Sequence, residues 1–237
     1  MARKSGKAQK EQWRRRLFVP CYQVGEAARY AHVSPQTVGK WHKATEQHGP
    51  VLSSRDARAE LSYMQLIEVA VLAAFRKEGL TLRTVRNARE YFAKMLQSEF
   101  PFAEYRFMTE GKDLWLDYGQ IEGDADANTL LNASKGGQLG WRSIIGRLKE
   151  FEYEDGGVAV RWRVAGEKSP IIIDPRVSFG APAVRGTPTW AIRGRWDAGE
   201  SVGDIADDFG LSQKHVKEAL AFEGVVPDMS RQDLWAS

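Results

Sequence analysis

The chain has 237 residues, of which 43% are hydrophobic and 27% charged, with a formal net charge of +3. This is the balance of a globular protein in water, with room for one or two domains at about 100–200 residues each. No stretch reaches the roughly 20 apolar residues that a bilayer span needs, the basic N-terminus lacks the apolar core of a secretory signal, and the single cysteine, Cys21, excludes a disulfide framework or a Cys-based zinc site, so the sequence predicts a cytoplasmic protein without membrane contact.

Residues 1–16 hold seven Lys/Arg, among them Arg14, Arg15 and Arg16, against one acid, Glu11, while the rest of the chain is mildly acidic. The sequence predicts a basic disordered arm here. A concentrated short cation suits a phosphate backbone, because each neutralised phosphate releases counterion, and the same composition suits a solvated tail.

In "YQVGEAARYAHVSPQTVGKWHKA" the apolar positions Val24, Ala27, Ala28 and Ala31, then Val33, then Val38 and Trp41, predict two short helices meeting at Val33. Ser34 followed by Pro35 is an N-cap followed by a first-turn proline, so the second helix starts there. Gln36, Thr37, Lys40, His42 and Lys43 fall mostly away from Val38 and Trp41, where they could meet a major groove. A short β-like piece with Arg55 and Arg58 follows, then an apolar helix around Leu66–Ala73 ended by Gly79. The next helix has Leu82, Val85, Ala88, Phe92 and Met95 in one stripe. Residues 22 to about 97 resemble the winged helix-turn-helix DNA-binding domain of the MerR type. The resemblance is carried by "YQVGEAARYAHVSPQTVGKWHKA", by "LSSRDARAELSYMQL" as the wing and by "FRKEGLTLRTVRNARE" behind it. It implies DNA contacts from Gln36, Thr37 and Lys40, joined by Lys43, and from Arg55 and Arg58 of the wing. The chain departs from the family at Gly39, where an arginine is usual.

Beyond the winged domain, "FMTEGKDLWLDY" reads as a hairpin turning at Gly111 in place of the long dimerisation helix of MerR regulators. Glu122, Asp124 and Asp126 lie in a polar stretch and lack the spacing of a calcium loop, so it reads as a solvated loop. "FEYEDGGVAVRWRV" is a hairpin with its turn at Glu-Asp-Gly-Gly. Ile171–Ile173 read as a strand broken by Asp174-Pro175, and Ala183–Arg185 as a second extended piece. Thr187 or Thr189 then caps a helix through Trp196. Ser201 caps the next, Gly210 ends it, and Ser212 caps the last. The final pair, "GESVGDIADDFGLSQKHVKEALAFE", has helix-turn-helix spacing.

Over 171–223, "DPRVSFGAPAVRGT", "DAGES" and the two following helices resemble a bacterial antitoxin domain. Its signature runs Asp-Pro, Gly-x-Pro-x-Val-x-Gly-Thr, a helix, then Gly-x-Ser and two helices. The family often has arginine after Gly-Thr, where this chain has Pro188. Some VapB-type antitoxins place a MerR-like domain in front, the order of parts found here. The resemblance implies a PIN-like ribonuclease toxin as partner, operator double-stranded DNA, and a homodimer. By the same analogy, Arg231 of the tail reaches the acidic centre of the toxin, with Leu234 and Trp235 beside it as exposed anchors; packing of the tail on its own body is the alternative.

Taken together, the sequence predicts an α+β chain, mainly α. A basic arm (1–16) precedes a MerR-like winged helix-turn-helix (17–97), a β-hairpin connecting region (98–170), a three-helix helix-turn-helix-like domain (171–223) and a tail (224–237). The function expected is that of an antitoxin that represses its own operon; a stand-alone MerR-like regulator with a C-terminal dimerisation module is the other reading. No cofactor or metal is expected, and no catalysis. There is no P-loop, and His32, His42, His48 and His215 show no metal-ligand spacing and read as surface or turn residues.

Overall fold

Serine and threonine hydroxyls cap the helices that start at Pro35, Tyr63, Leu82, Val202 and Gln213. The computed structural model describes residues 13–45, 48–55, 60–105, 107–110, 113–117, 129–132, 138–141, 146–147, 149–154 and 157–226, with 107–147 described by backbone alone. It divides into two compact units, Met1–Val160 and Arg161–Ser237. The architecture is mixed, helices with antiparallel sheet.

In the first unit, a helical turn at 13–16 precedes α1 (Val24–Tyr30), α2 (Pro35–Trp41), α3 (Tyr63–Lys77), α4 (Leu82–Met95) and the short α5 (Pro101–Glu104). Ser34 Oγ accepts from Thr37 N–H at 3.1 Å and Thr81 Oγ1 from Thr84 N–H at 3.1 Å. At α3 the cap is reciprocal: Ser62 Oγ accepts from Gln65 N–H at 3.3 Å and Gln65 Oε1 from Ser62 N–H at 2.9 Å. Each such cap satisfies a helix donor that otherwise has no partner.

α3 is the central helix of this unit, with Met64, Leu66, Ile67, Val69, Val71, Leu72 and Phe75 all fully buried. A helix apolar on every side belongs in a core, and α1, α4 and α5 pack around it. α4 presents Val85, Ala88 and Phe92 inward, while Met95, read as part of the same stripe, is 39% exposed at its end. Phe102 of α5 meets Phe75 edge-on at 5.3 Å between ring centres. In the segment read as the wing, the β pairing among the described residues of 51–62 is a single bridge, Tyr22 to Leu61.

Five strands follow, β1 (Phe107–Glu110), β2 (Asp113–Asp117), β3 (Thr129–Asn132), β4 (Gln138–Trp141) and β5 (Gly146–Arg147), in the order β4-β3-β2-β1-β5. β1 and β2 form the expected hairpin with Glu110 opposite Asp113; the proposed turn residue Gly111 lies outside the described residues, as do Glu122, Asp124 and Asp126. β3 and β4 occupy part of the stretch read from sequence as loop. A second hairpin joins β6 (Phe151–Tyr153) to β7 (Ala159–Arg163), closed by Glu154 N–H to the Val158 carbonyl at 2.9 Å. Tyr63 Oη donates to the Ala159 carbonyl at 3.1 Å, tying the start of β7 to α3.

β7 ends in the second unit, where β8 (Ile171–Ile173), β9 (Ala183–Val184) and β10 (Thr187–Pro188) follow, each antiparallel to the one before. Asp174 stops β8 by drawing the chain back. Its carboxylate accepts from Arg176 N–H at 2.9 Å, from the Arg176 guanidinium at 2.8 and 2.7 Å, and from Arg161 Nε at 3.0 Å. Burial works to raise its pKa, and the bonds from Arg176 and then Arg161 outweigh that and hold it below the usual carboxylate range.

Two residues, Arg185 at φ 49° and Gly186 at φ 92°, connect β9 to β10. Positive φ at both central positions is the requirement of a type I′ hairpin turn, which explains the glycine of "VRGT". β10 was not expected, and it changes how the next helix starts. The cap of α6 (Thr189–Asp197) is Pro188, without a side-chain bond. Neither threonine caps it, contrary to the sequence expectation; Thr187 lies in β10, and Thr189 Oγ1 donates instead to Glu223 Oε1 at 2.5 Å. α7 (Val202–Phe209) and α8 (Gln213–Phe222) complete the unit, with Ile192, Trp196, Ile205, Ala206, Val216, Ala219 and Leu220 as their shared core.

Candidate nucleic-acid interface

The turn between α1 and α2 sets the geometry of the first helix pair. Ala27, Ala28, Val38 and Trp41 are buried and lock the two helices together, and the chain reverses through His32 at φ 53°. Burying Val38 and Trp41 leaves the other side of α2 to solvent, where Gln36 and Lys40 are exposed and Thr37 half-buried. The Thr37 hydroxyl lies 2.9 Å from Ser34 Oγ, so it belongs to the cap network as well as to the outer face. Lys43 is exposed just past the helix end. A β-carbon placed on Gly39 meets nothing within 4 Å, so the position tolerates a side chain.

Arg55 is half-buried, on a loop fastened to the end of α2: Val51 and Leu52 N–H both donate to the Trp41 carbonyl, at 2.9 and 3.0 Å. Arg58 lies outside the described residues. Arg14, Arg15 and Arg16 are exposed on the helical turn at 13–16, and Arg14 pairs with Glu154 at 2.9 Å. Arg231, Leu234 and Trp235 lie outside the described residues. The structure thus brings Gln36, Thr37 and Lys40 together on α2, with Lys43 just past its end and Arg55 on the loop bound to that end.

Sequence reasoning misplaced one residue here and missed another. His42, read as a surface or turn residue, is 5% exposed, and its Nδ1 lies 2.7 Å from the Ser53 carbonyl. A carbonyl only accepts, so Nδ1 carries the proton. Burial first, then Arg55 and Arg89, push the imidazole pKa down, against the Ser53 bond, which works to raise it. Ser53 N–H donates in turn to Glu68 Oε2 at 3.2 Å, and Glu68 Oε1 lies 3.9 Å from Arg89 Nε. Glu68 has no exposed surface, and desolvation raises its carboxyl to about 7 despite Arg89 and the Ser53 bond. The chain of contacts runs from the end of α2 through the loop to α3 and α4, so it fixes the outer helix to the body of the unit. Its signal in the sequence was one acid inside "YMQLIEVAVLAAF".

Among the described residues no group of three or more His, Cys, Asp or Glu side chains is arranged to hold a metal ion, and no helix is long and apolar enough to cross a membrane.

Residues 171–222 match a family model described as "Protein of unknown function (DUF433)". The chain is also similar to a Mycobacterium tuberculosis (strain ATCC 25618 / H37Rv) protein named "Putative antitoxin VapB45". The two are 24% identical over 227 residues, covering 86% of this chain and 94% of that one. The crystal structure of Rv2018 from Mycobacterium tuberculosis shares the fold, with a TM-score of 0.60 at 20% identity over 86% of this chain and 99% of that chain.

Proposed function

We propose that this protein is the antitoxin of a type II toxin-antitoxin pair, which binds and neutralises a PIN-like ribonuclease toxin and represses its own operon. The observation that carries the reading is the similarity, along nearly the whole of both chains, to a protein bearing an antitoxin name. The protein then has no catalytic duty of its own.

In this reading residues 17–97 are the DNA-binding part, a MerR-like winged helix in which Gln36, Thr37, Lys40 and Lys43 of the α2 segment meet the major groove. Arg55 and Arg58 meet the flanking phosphates, and Arg14, Arg15 and Arg16 add to the phosphate attraction. Residues 98–170 connect, 171–223 hold two copies together, and 224–237 reach the toxin through Arg231, Leu234 and Trp235. A homodimer presents two copies of α2 to inverted half-sites about 34–36 Å apart or a multiple of that.

The test is co-expression with the product of the adjacent gene, followed by pull-down and a growth assay. A stable complex and rescued growth are expected, together with weaker capture by the Arg231→Ala/Trp235→Ala variant. A neighbouring product that is neither toxic nor captured refutes the antitoxin reading. Unchanged affinity in the double variant refutes the role of the tail alone.

A further inference from the structure

The second unit contains a copy of the first unit's helix-turn-helix. Without a gap, Val24–Trp41 falls on Val202–Ala219 at a constant offset of 178 positions. Val, Gly, Ala, Ser and Val recur at 24/202, 25/203, 28/206, 34/212 and 38/216, with Glu26 against Asp204 and Val33 against Leu211.

The backbone repeats as well. His32 at φ 53° is matched by Gly210 at φ 62°, so both turns reverse through a left-handed residue at the same place. Val33 N–H bonds the Ala28 carbonyl at 2.9 Å, and Leu211 N–H the Ala206 carbonyl at 2.8 Å. Ser34 Oγ accepts from Thr37 N–H at 3.1 Å, and Ser212 Oγ from His215 N–H at 3.2 Å. The buried set Ala27, Ala28 and Val38 becomes Ile205, Ala206 and Val216, each at most 3% exposed. Two segments that share caps, turn, register and inward face present the same positions outward.

We propose that α7 and α8 form a second DNA-contacting helix-turn-helix, with α8 as the helix that enters the groove and Gln213, Lys214 and Lys217 as its contacts to double-stranded DNA. The assignment rests on the DNA-binding reading of α1 and α2. Lys214 stands at the position of Gln36, with its side chain 83% exposed, and Lys217 at that of Gly39, while Glu218 and Ala221 stand at the positions of Lys40 and Lys43, so the second copy carries its two cations at other positions of the same helix.

The carboxylates of α7 and α8 define the limits of this surface. Asp204 repeats the first-turn acid Glu26 and accepts from Ser201 Oγ at 2.7 Å. Asp208 is paired with Arg195 at 2.5 Å, and Glu218 lies 3.8 Å from Lys214. Asp207 has no ion pair among the described residues and stands where the first copy has Arg29. It opposes a phosphate, so it weakens this head relative to the first and provides a variant that gains function.

The experiment measures the affinity of the full-length protein for a random-sequence duplex of about 40 bp, roughly four helical turns, as a function of salt. The variants are Lys214→Glu/Lys217→Glu, Lys40→Glu/Lys43→Glu and Asp207→Lys. Removing one cation from a phosphate lowers the slope of log affinity against log salt by about 0.9. Each double variant is therefore expected to lower the slope by about 2 and the affinity by about tenfold or more, and Asp207→Lys to raise affinity severalfold. A gain cannot come from misfolding, so it guards against misreading the weakened variants.

If Lys40→Glu/Lys43→Glu weakens binding while neither variant of the second unit changes it, the second site is overturned and the first stands. If the second-unit variants act and Lys40→Glu/Lys43→Glu does not, the inference holds and the assignment of α2 falls. If none of the three acts, both fall.

Discussion

Replacing Glu68 by glutamine tests the buried contacts behind α2 most directly. Glu68 lies wholly inside the first unit, its carboxyl raised by desolvation from 4.5 to about 7. A carboxyl whose pKa is higher folded than unfolded gives up its proton more readily in the unfolded chain. Its stabilising contribution is therefore complete below about pH 4.5 and is lost as the pH rises to about 7, after which it is flat. At roughly 1.4 kcal/mol per pKa unit, this residue costs the fold about 2–3 kcal/mol between roughly pH 5 and pH 8. Glutamine keeps the shape and can still accept from Ser53 N–H, but does not titrate. His42 has the opposite sign. Its lowered pKa makes stability fall as pH drops below the imidazole's ordinary value, but it is present in both proteins and drops out of their difference. In urea unfolding followed by circular dichroism, the stability of Glu68→Gln relative to the parent should rise by about 2–3 kcal/mol from about pH 5 to about pH 8. A difference constant to within about 0.5 kcal/mol over that range would show that Glu68 ionises as freely in the fold as in the open chain, and the argument from burial would fail.

The two equivalent caps provide a second test: Ser34→Ala and Ser212→Ala should each cost about 1 kcal/mol, read as thermal shifts, and a silent change at one site would mean that the two turns are not equivalent. Arg185 occupies a left-handed position at φ 49° that costs an ordinary residue about 1–2 kcal/mol, so Arg185→Gly should raise stability by up to about 1 kcal/mol once the added freedom of the unfolded chain is deducted. A lower melting temperature would show instead that the Arg185 side chain makes contacts worth more than the strain.

Elements governed by near neighbours were legible. Ser34-Pro35, Ser201, Ser212 and Gly210 mark helix ends because the bonds they make span three or four residues, and Asp174-Pro175 stops a strand for equally local reasons. The cationic face of α2 was legible too, since burying Val38 and Trp41 determines where Gln36 and Lys40 point. What depended on distant partners was not. His42 has the composition of a surface residue and is buried because the loop at Ser53 closes over it, and Thr189 looks like a cap but is drawn to Glu223, 34 positions away. β3 and β4 lie in a polar stretch whose pairing partners supply what its own sequence does not announce. Glu68 marks the boundary: one acid in an apolar helix shows by itself that something must face it, while the identity of those groups, Ser53 and Arg89, was decided by packing, because an ion's desolvation is compensated only by what the tertiary fold places beside it.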